Sequence, residues 1–251
     1  MTKVGARGIL MLVFSALLIE TAVAETGDRI RIADDLYLEE LSANVWMHVS
    51  TADVPPWGPV SANGLAVLAG NDVILVDTPW NDRQTRDLCD WLAAHKRARV
   101  SAVIVCHHHG DNLGGLGWIH DSGIPSYSIE RTQDICAELG LEVPRGTVPD
   151  DGTLEFSGEV IRVFFPGAGH TADSACVYLP GERILFGGCS VKSLSTRTLG
   201  NTQEADLSAW PESLARMKEE FPGARIVVPG HGEPGDLRLI DHTLALLRDG
   251  A

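Results

Sequence analysis

Five short apolar runs in this chain each lead into a residue able to bind a metal ion or to support one that does. VILVD ends at Asp77. AVIVC runs into His107, His108, His109 and Asp111. VIRVFFPGAGH ends at His170, RILFGGC at Cys189 and RIVVPGH at His231. Short apolar runs bounded by turn residues read as buried strands. In an α/β sheet, side chains that act together gather in the loops beyond strand ends. A random scatter of His, Cys and Asp would not favour strand ends so consistently. The chain must therefore fold so that several strand ends meet at one edge. Gly167, Gly169, Gly187, Gly188, Gly230 and Gly232 flank these residues and allow the tight turns and close backbone approach such an edge requires.

Strand-like runs are Ile30–Leu41, Val45–Ser50, Leu65–Ala69, Val73–Asp77, Val100–Cys106, Ser126–Ile129, Val160–Phe165, Ala175–Leu179, Arg183–Phe186 and Ile226–Val228. Helical patterns cover Asp82–Arg97, Leu113–Asp121, Arg131–Leu139, Leu207–Glu220 and Asp236–Leu247. In the first of these, Leu88, Trp91 and Leu92 fall on one face. The alternation predicts α/β layering. With no Pro- or Ser-rich linker and no charge block, one domain is expected over residues 25–251. The segment Ser50–Asn63 carries Pro55, Pro56, Gly58 and Pro59 and reads as an irregular loop with Trp57 at its tip.

The first 24 residues read as a leader rather than as fold. Lys3 and Arg7 precede an apolar run from Gly8 to Ile19, and Ala22-Val23-Ala24 forms a small-residue cleavage site. The run is too short to anchor in a bilayer. A cleaved signal peptide, residues 1–24, implies export to the periplasm and no membrane association afterwards. Its loss removes Lys3, Arg7 and Glu20, leaving 18 basic and 33 acidic residues, net −15. Such an acidic chain is a poor partner for nucleic acid or anionic lipid. Export permits disulfides, but Cys89, Cys106, Cys136, Cys176 and Cys189 are odd in number, so at least one thiol stays unpaired. A metal ion would occupy it.

In His107-x-His109-x-Asp111, alternate residues of an extended segment point the same way, so His107 and His109 can face one ion. Three His with an open position is the pattern of a catalytic zinc, and His170 is a credible third. Asp111, Cys189 and His231 offer oxygen, sulfur and nitrogen. That mixture suits zinc and excludes magnesium or calcium as the natural ion. Two neighbouring ions could activate one water as a nucleophile.

The strings HHHGDN, GAGHT, GGCSVK and PGHG, in that order, resemble the subclass B1 metallo-β-lactamases. The resemblance spans about Asp28 to Leu247. It implies an α/β fold of the four-layer αβ/βα sandwich type, two β-sheets flanked by helices. It implies two Zn²⁺ per chain, one on His107, His109 and His170, the other on Asp111, Cys189 and His231, with His108 not a ligand. The implied activity is hydrolysis of the β-lactam amide of penicillins, cephalosporins and carbapenems by a zinc-bound hydroxide, conferring antibiotic resistance. The catalytic set it implies is Asp111, Lys192 and Asn201. Lys192 resembles an anchor for the substrate carboxylate and Asn201 a donor to the lactam oxygen, although Asn201 also fits a plain turn. The loop with Trp57 resembles a flap over the substrate. The alternative reading packs Trp57 down on the protein body. Asp77 resembles a buried supporting residue. Asn112 replaces the His that follows the Asp in many hydrolases of this fold, and Cys189 stands where they tend to carry Asp. Both features favour β-lactams over thioesters, lactones and phosphoesters. A non-catalytic zinc-binding protein would leave Lys192 and the flap without a purpose. A monomer is expected, and His48, His95, His120 and His242 have no place in the pattern.

Overall fold

The computed structural model describes Met1 and residues 29–250. Apart from Met1, the expected leader lies outside the described residues. Strands β1 (Ile30–Ala33), β2 (Leu36–Ser42), β3 (Val45–Val54), β4 (Gly58–Ala69) and β5 (Asp72–Val76) form an antiparallel meander. Helix α1 (Asp82–His95) returns the chain so that β6 (Arg99–Ile104) lies parallel to β5. Helices α2 (Gly110–Leu113) and α3 (Leu116–Asp121) lead to β7 (Ser126–Ile129), and α4 (Glu130–Leu139) leads to β8 (Gly146–Val148). These eight strands make one sheet in sequence order. Strands β9 (Asp151–Phe156), β10 (Glu159–Phe164), β11 (Cys176–Leu179) and β12 (Ile184–Gly188) make a second antiparallel sheet. Helix α5 (Trp210–Glu220) crosses to β13 (Ile226–Pro229), parallel to β12, and α6 (Arg238–Asp249) follows.

The two sheets pack face to face, with helices outside each. Along β5, Ile74 and Val76 join the core between the sheets, while Val73 and Leu75 face the core under α1, α3 and α4. A strand buried on both faces reads as an unbroken apolar run, as VILV does. On the second sheet, Leu185 and Val227 meet Trp210, Leu214 and Met217 of α5 and Leu239, Ile240 and Leu247 of α6. This is the expected four-layer sandwich. Asn81 caps α1, its Oδ1 accepting the Gln84 N–H at 3.0 Å. Leu88 and Leu92 are fully buried beneath it, with Trp91 at the margin.

The structure corrects the sequence reading in several places. Ile30–Leu41 is a hairpin, turning at Asp34 and Asp35. The segment Ser50–Asn63 is regular strand over most of its length. Pairing between β3 and β4 continues to Val54 and Gly58, leaving Pro55, Pro56 and Trp57 as the turn. The Pro55–Pro56 peptide is cis, and Trp57 N–H donates to Val54 O at 2.7 Å. The prolines fit because Pro55 and Pro56 occupy the turn and β4 pairs with β5 only from Leu65 onward. Leu113–Asp121 is broken at Gly114 and Gly115. A side chain on either would strike Trp80 O or Thr85. Strands β8 and β9 lacked a visible apolar pattern. All five cysteines are buried free thiols.

Candidate metal centre

Strands β5 and β6 run parallel, as do β12 and β13, so their C-terminal ends deliver loops to a common edge. Asp77 follows β5 with φ of +61°, buried completely. Its carboxylate accepts the Cys106 N–H at 2.7 Å and a hydrogen bond from the Asn112 amide. Burial pushes its pKa well above the usual range. Asp77 thus fixes both ends of the loop that carries His107, His109 and Asp111. Asn112 O in turn accepts from Thr78 N–H at 2.7 Å.

The six sequence-identified donors come together. His107 Nε2 and His170 Nε2 each lie 3.2 Å from His109 Nδ1. Asp111 Oδ2 lies 3.3 Å from both Cys189 Sγ and His231 Nε2, and Cys189 Sγ lies 3.4 Å from His231 Nε2. Asp111, Cys189 and His231 meet the spacing of a shared ion, and His107 does so with either His109 and Asp111 or His170 and Cys189. His231 Nδ1 donates to Ser61 O at 2.8 Å, which leaves Nε2 free to face the other donors. Gly230 N–H donates to Gly188 O at 2.7 Å and Gly230 O accepts from Asn63 N–H at 2.8 Å. Asn63 also donates to Pro229 O and Gly232 O, so the strand-end loop of one sheet is tied to β4 of the other.

Electrostatics suit a cation here. Burial lowers the pKa of His107 to about 4 and that of His170 further, with neighbouring imidazoles adding to the effect. Neutral imidazoles presenting lone pairs are metal ligands, not ion-pair partners. Burial opposes ionisation of Asp111, but the His231 hydrogen bond and charge outweigh it and hold the carboxyl well below its usual range. Burial and the Asp111 charge push the Cys189 thiol up. A cation bound there would reverse that, because thiolate is the ligating form. The donor set therefore fits a zinc-type ion.

A cavity of about 360 Å³ opens above these donors. Val54, Trp57 and Val60 of the β3–β4 hairpin line one side, with Trp57 55% exposed at the tip. Lys192, Asn201 and Trp80 line it elsewhere. Lys192 is only 8% exposed, its Nζ 5.4 Å from the centre of the Trp210 ring. Burial lowers its pKa, against the opposing charges of Cys189 and Asp111. Asn201 is exposed, and its Oδ1 accepts the Gln203 N–H at 3.1 Å. Trp118 is half-buried and packs against the core under α1.

Sequence reasoning missed two carboxylates. Asp173, fully buried, accepts from His108 Nδ1 at 2.9 Å and from His108 N–H at 3.0 Å. Glu204 Oε2 accepts from His109 Nε2 at 2.6 Å and lies 3.2 Å from His108 Nε2. Burial disfavours the His108 imidazolium, yet Asp173 and Glu204 together raise its pKa. Asp173 follows His170 by three residues, but no spacing rule singles out Glu204. The four histidines outside the pattern are structural: His48 meets Asp77 O, His95 Trp91 O, His120 Ser126 and Glu142, and His242 Thr196 O.

The comparisons with known proteins converge. A metallo-beta-lactamase type 2 from Bacteroides fragilis is 41% identical over 214 residues, covering 85% of this chain and 86% of its own. The solved metallo-beta-lactamase of Pontibacter korlensis is 38% identical with a TM-score of 0.82, covering 85% of this chain and 99% of its own. The DIM-1 metallo-beta-lactamase, solved after exposure to ceftazidime, is 36% identical with a TM-score of 0.83, covering 89% of this chain and 100% of its own. Residues 57–231 match the family described as the metallo-beta-lactamase superfamily, and this chain belongs to it.

Proposed function

We propose that this chain is a dizinc β-lactamase that opens the amide of penicillins, cephalosporins and carbapenems. In this reading it acts as a periplasmic monomer after loss of residues 1–24 and confers antibiotic resistance. The observation that carries the reading is the gathering of His107, His109 and His170 beside Asp111, Cys189 and His231, four of the six lining a cavity that also holds a buried lysine. Bound zinc supplies a water acidified toward neutral pH and a Lewis acid for the carbonyl oxygen.

The chain's own groups do the rest. The Lys192 ammonium has the aromatic face of Trp210 behind it and the cavity before it, so it pairs with the carboxylate of a β-lactam. Because the Asn201 Oδ1 is engaged by Gln203 N–H, its amide N–H₂ is left to donate to the lactam oxygen. The Asp111 carboxylate accepts a hydrogen bond from the attacking water and orients it. Val54, Trp57 and Val60 cover the apolar face of the substrate and exclude solvent. Net charge −15 does not repel the anionic substrate at the site, because distant surface charge is screened beyond about 8–10 Å.

The test follows the absorbance of imipenem with purified mature protein, first with zinc, then after EDTA, then with zinc restored. Hydrolysis is expected to vanish and return. Intact imipenem in the presence of two bound zinc ions would sink the reading and direct attention to thioesters, lactones and phosphoesters.

A further inference from the structure

We propose that Glu204 is a positioning residue: its carboxylate clasps the histidine loop to the Asn201 loop, aiming His109 at the metal and holding Asn201 over the cavity. One oxygen, Oε2, receives both imidazoles, His109 Nε2 at 2.6 Å and His108 Nε2 at 3.2 Å. The far side of His108 is pinned, its Nδ1 and its backbone N–H both bound to the buried Asp173 carboxylate. His108 is therefore a fixed post with both ring nitrogens facing carboxylates.

The consequence for His109 is tautomeric. Its Nδ1 faces His107 and His170, while its Nε2 faces Glu204. A carboxylate acceptor keeps the proton on Nε2 and the lone pair on Nδ1, and it increases the basicity of that nitrogen. The consequence for the other loop is mechanical. Between β12 and α5 the chain around Asn201 has no helix or strand. It is fastened to the rest of the site by Asp206 N–H donating to Gly169 O at 2.9 Å and by Glu204. Asn201 stands three residues before Glu204, with its side chain closed onto Gln203 N–H. Releasing Glu204 frees that turn. The Glu204 side chain is 52% exposed, and an exposed pair ordinarily holds little. Here the partners are already immobilised, so the bond spends no ordering of its own on them.

The metal half of this inference stands on geometry alone; the Asn201 half rests on the hydrolysis proposed above. Two measurements on the full mature protein test it. Zinc affinity is read by competition with a chromophoric chelator, and amide hydrogen exchange is read over residues 198–205. Glu204→Ala is expected to weaken binding at the histidine site ~10–100-fold and to speed exchange in that segment. Glu204→Gln keeps the acceptor oxygen at the same reach. It should recover most of the exchange protection but only part of the affinity. His108→Ala should speed exchange with zinc affinity near the parent's, and adding it to Glu204→Ala should speed exchange no further. Parental affinity and parental exchange in Glu204→Ala would overturn the proposal, as would additive exchange effects in the double variant. A parent that binds zinc yet spares every β-lactam would remove the hydrolysis reading, while both measurements would still decide the clasp.

Discussion

His48 shows what burial does to a titratable side chain that holds no metal. Its ring fills the space that a side chain on Gly64 would take, and its Nε2–H donates to Asp77 O at 3.2 Å. Burial lowers its pKa to about 4, against its two backbone hydrogen bonds. The folded protein thus binds His48 in neutral form, while the unfolded chain takes up a proton near 6.5. The folded value is depressed, so the stability it contributes is present above about 6.5 and is lost as pH falls toward 4. Between pH 6.5 and 5 the loss is ~2 kcal/mol. Urea unfolding at pH 7 and pH 5 should show the parent losing about that much more than His48→Gln. Equal losses would clear His48 of the effect. At this scale the sequence was readable where chemistry is rare and unreadable where it is common. Six His, Cys and Asp donors closing apolar runs are conspicuous, and the structure gathers all of them. Glu204 and Asp173 are two acidic residues among 34 in the chain, and only their nearness to His108 marks them.

Among the elements, the end of β12 lies tight against the end of β13. A Cβ on Gly230 would lie 2.4 Å from Cys189 Sγ and 2.6 Å from Cys189 N, and Gly188 turns there with φ of +54°. Gly230→Ala must therefore move Cys189. A shift near 1 Å costs about 100-fold in rate, so imipenem hydrolysis should fall about that much, with zinc content per chain dropping toward one. Wild-type rates with two zinc ions retained would show that the loop yields without moving the thiol. Strands buried on both faces, such as β5, were legible as continuous apolar runs. The β3–β4 hairpin was not, because its proline content argued for an irregular loop. Proline is excluded only where a ladder N–H is needed, and a turn or unpaired edge does not need one. Strands β8 and β9 escaped notice for the opposite reason. Each is short, and β9 alternates exposed residues with buried or partly buried ones, the fully buried one being a glycine, so it shows little apolar signal.

Across the whole molecule, the donors are divided between the sheets. His107, His109 and Asp111 follow β6 of the first, whereas His170, Cys189 and His231 follow β10, β12 and β13 of the second. Each trio takes donors from both, so an ion bound to either holds the two halves of the sandwich together. Ligand that binds only the folded state at 100 times its Kd adds ~2.7 kcal/mol. For a chain of this size that is roughly 5–10 °C in Tm. Calorimetry should show EDTA lowering Tm by about that amount and zinc restoring it, and an unchanged melt would mean that the metal does not bridge the halves. The fold class was legible at this scale because strand and helix patterns alternate without a linker. The division of donors also has a consequence in time. A chain that has emerged only as far as Val148 carries His107, His109 and Asp111 but none of their counterparts. The trio of His107, His109 and His170 cannot close until His170 has been made, and the trio of Asp111, Cys189 and His231 only when His231 arrives, so capture of both ions reports that synthesis of both halves is finished.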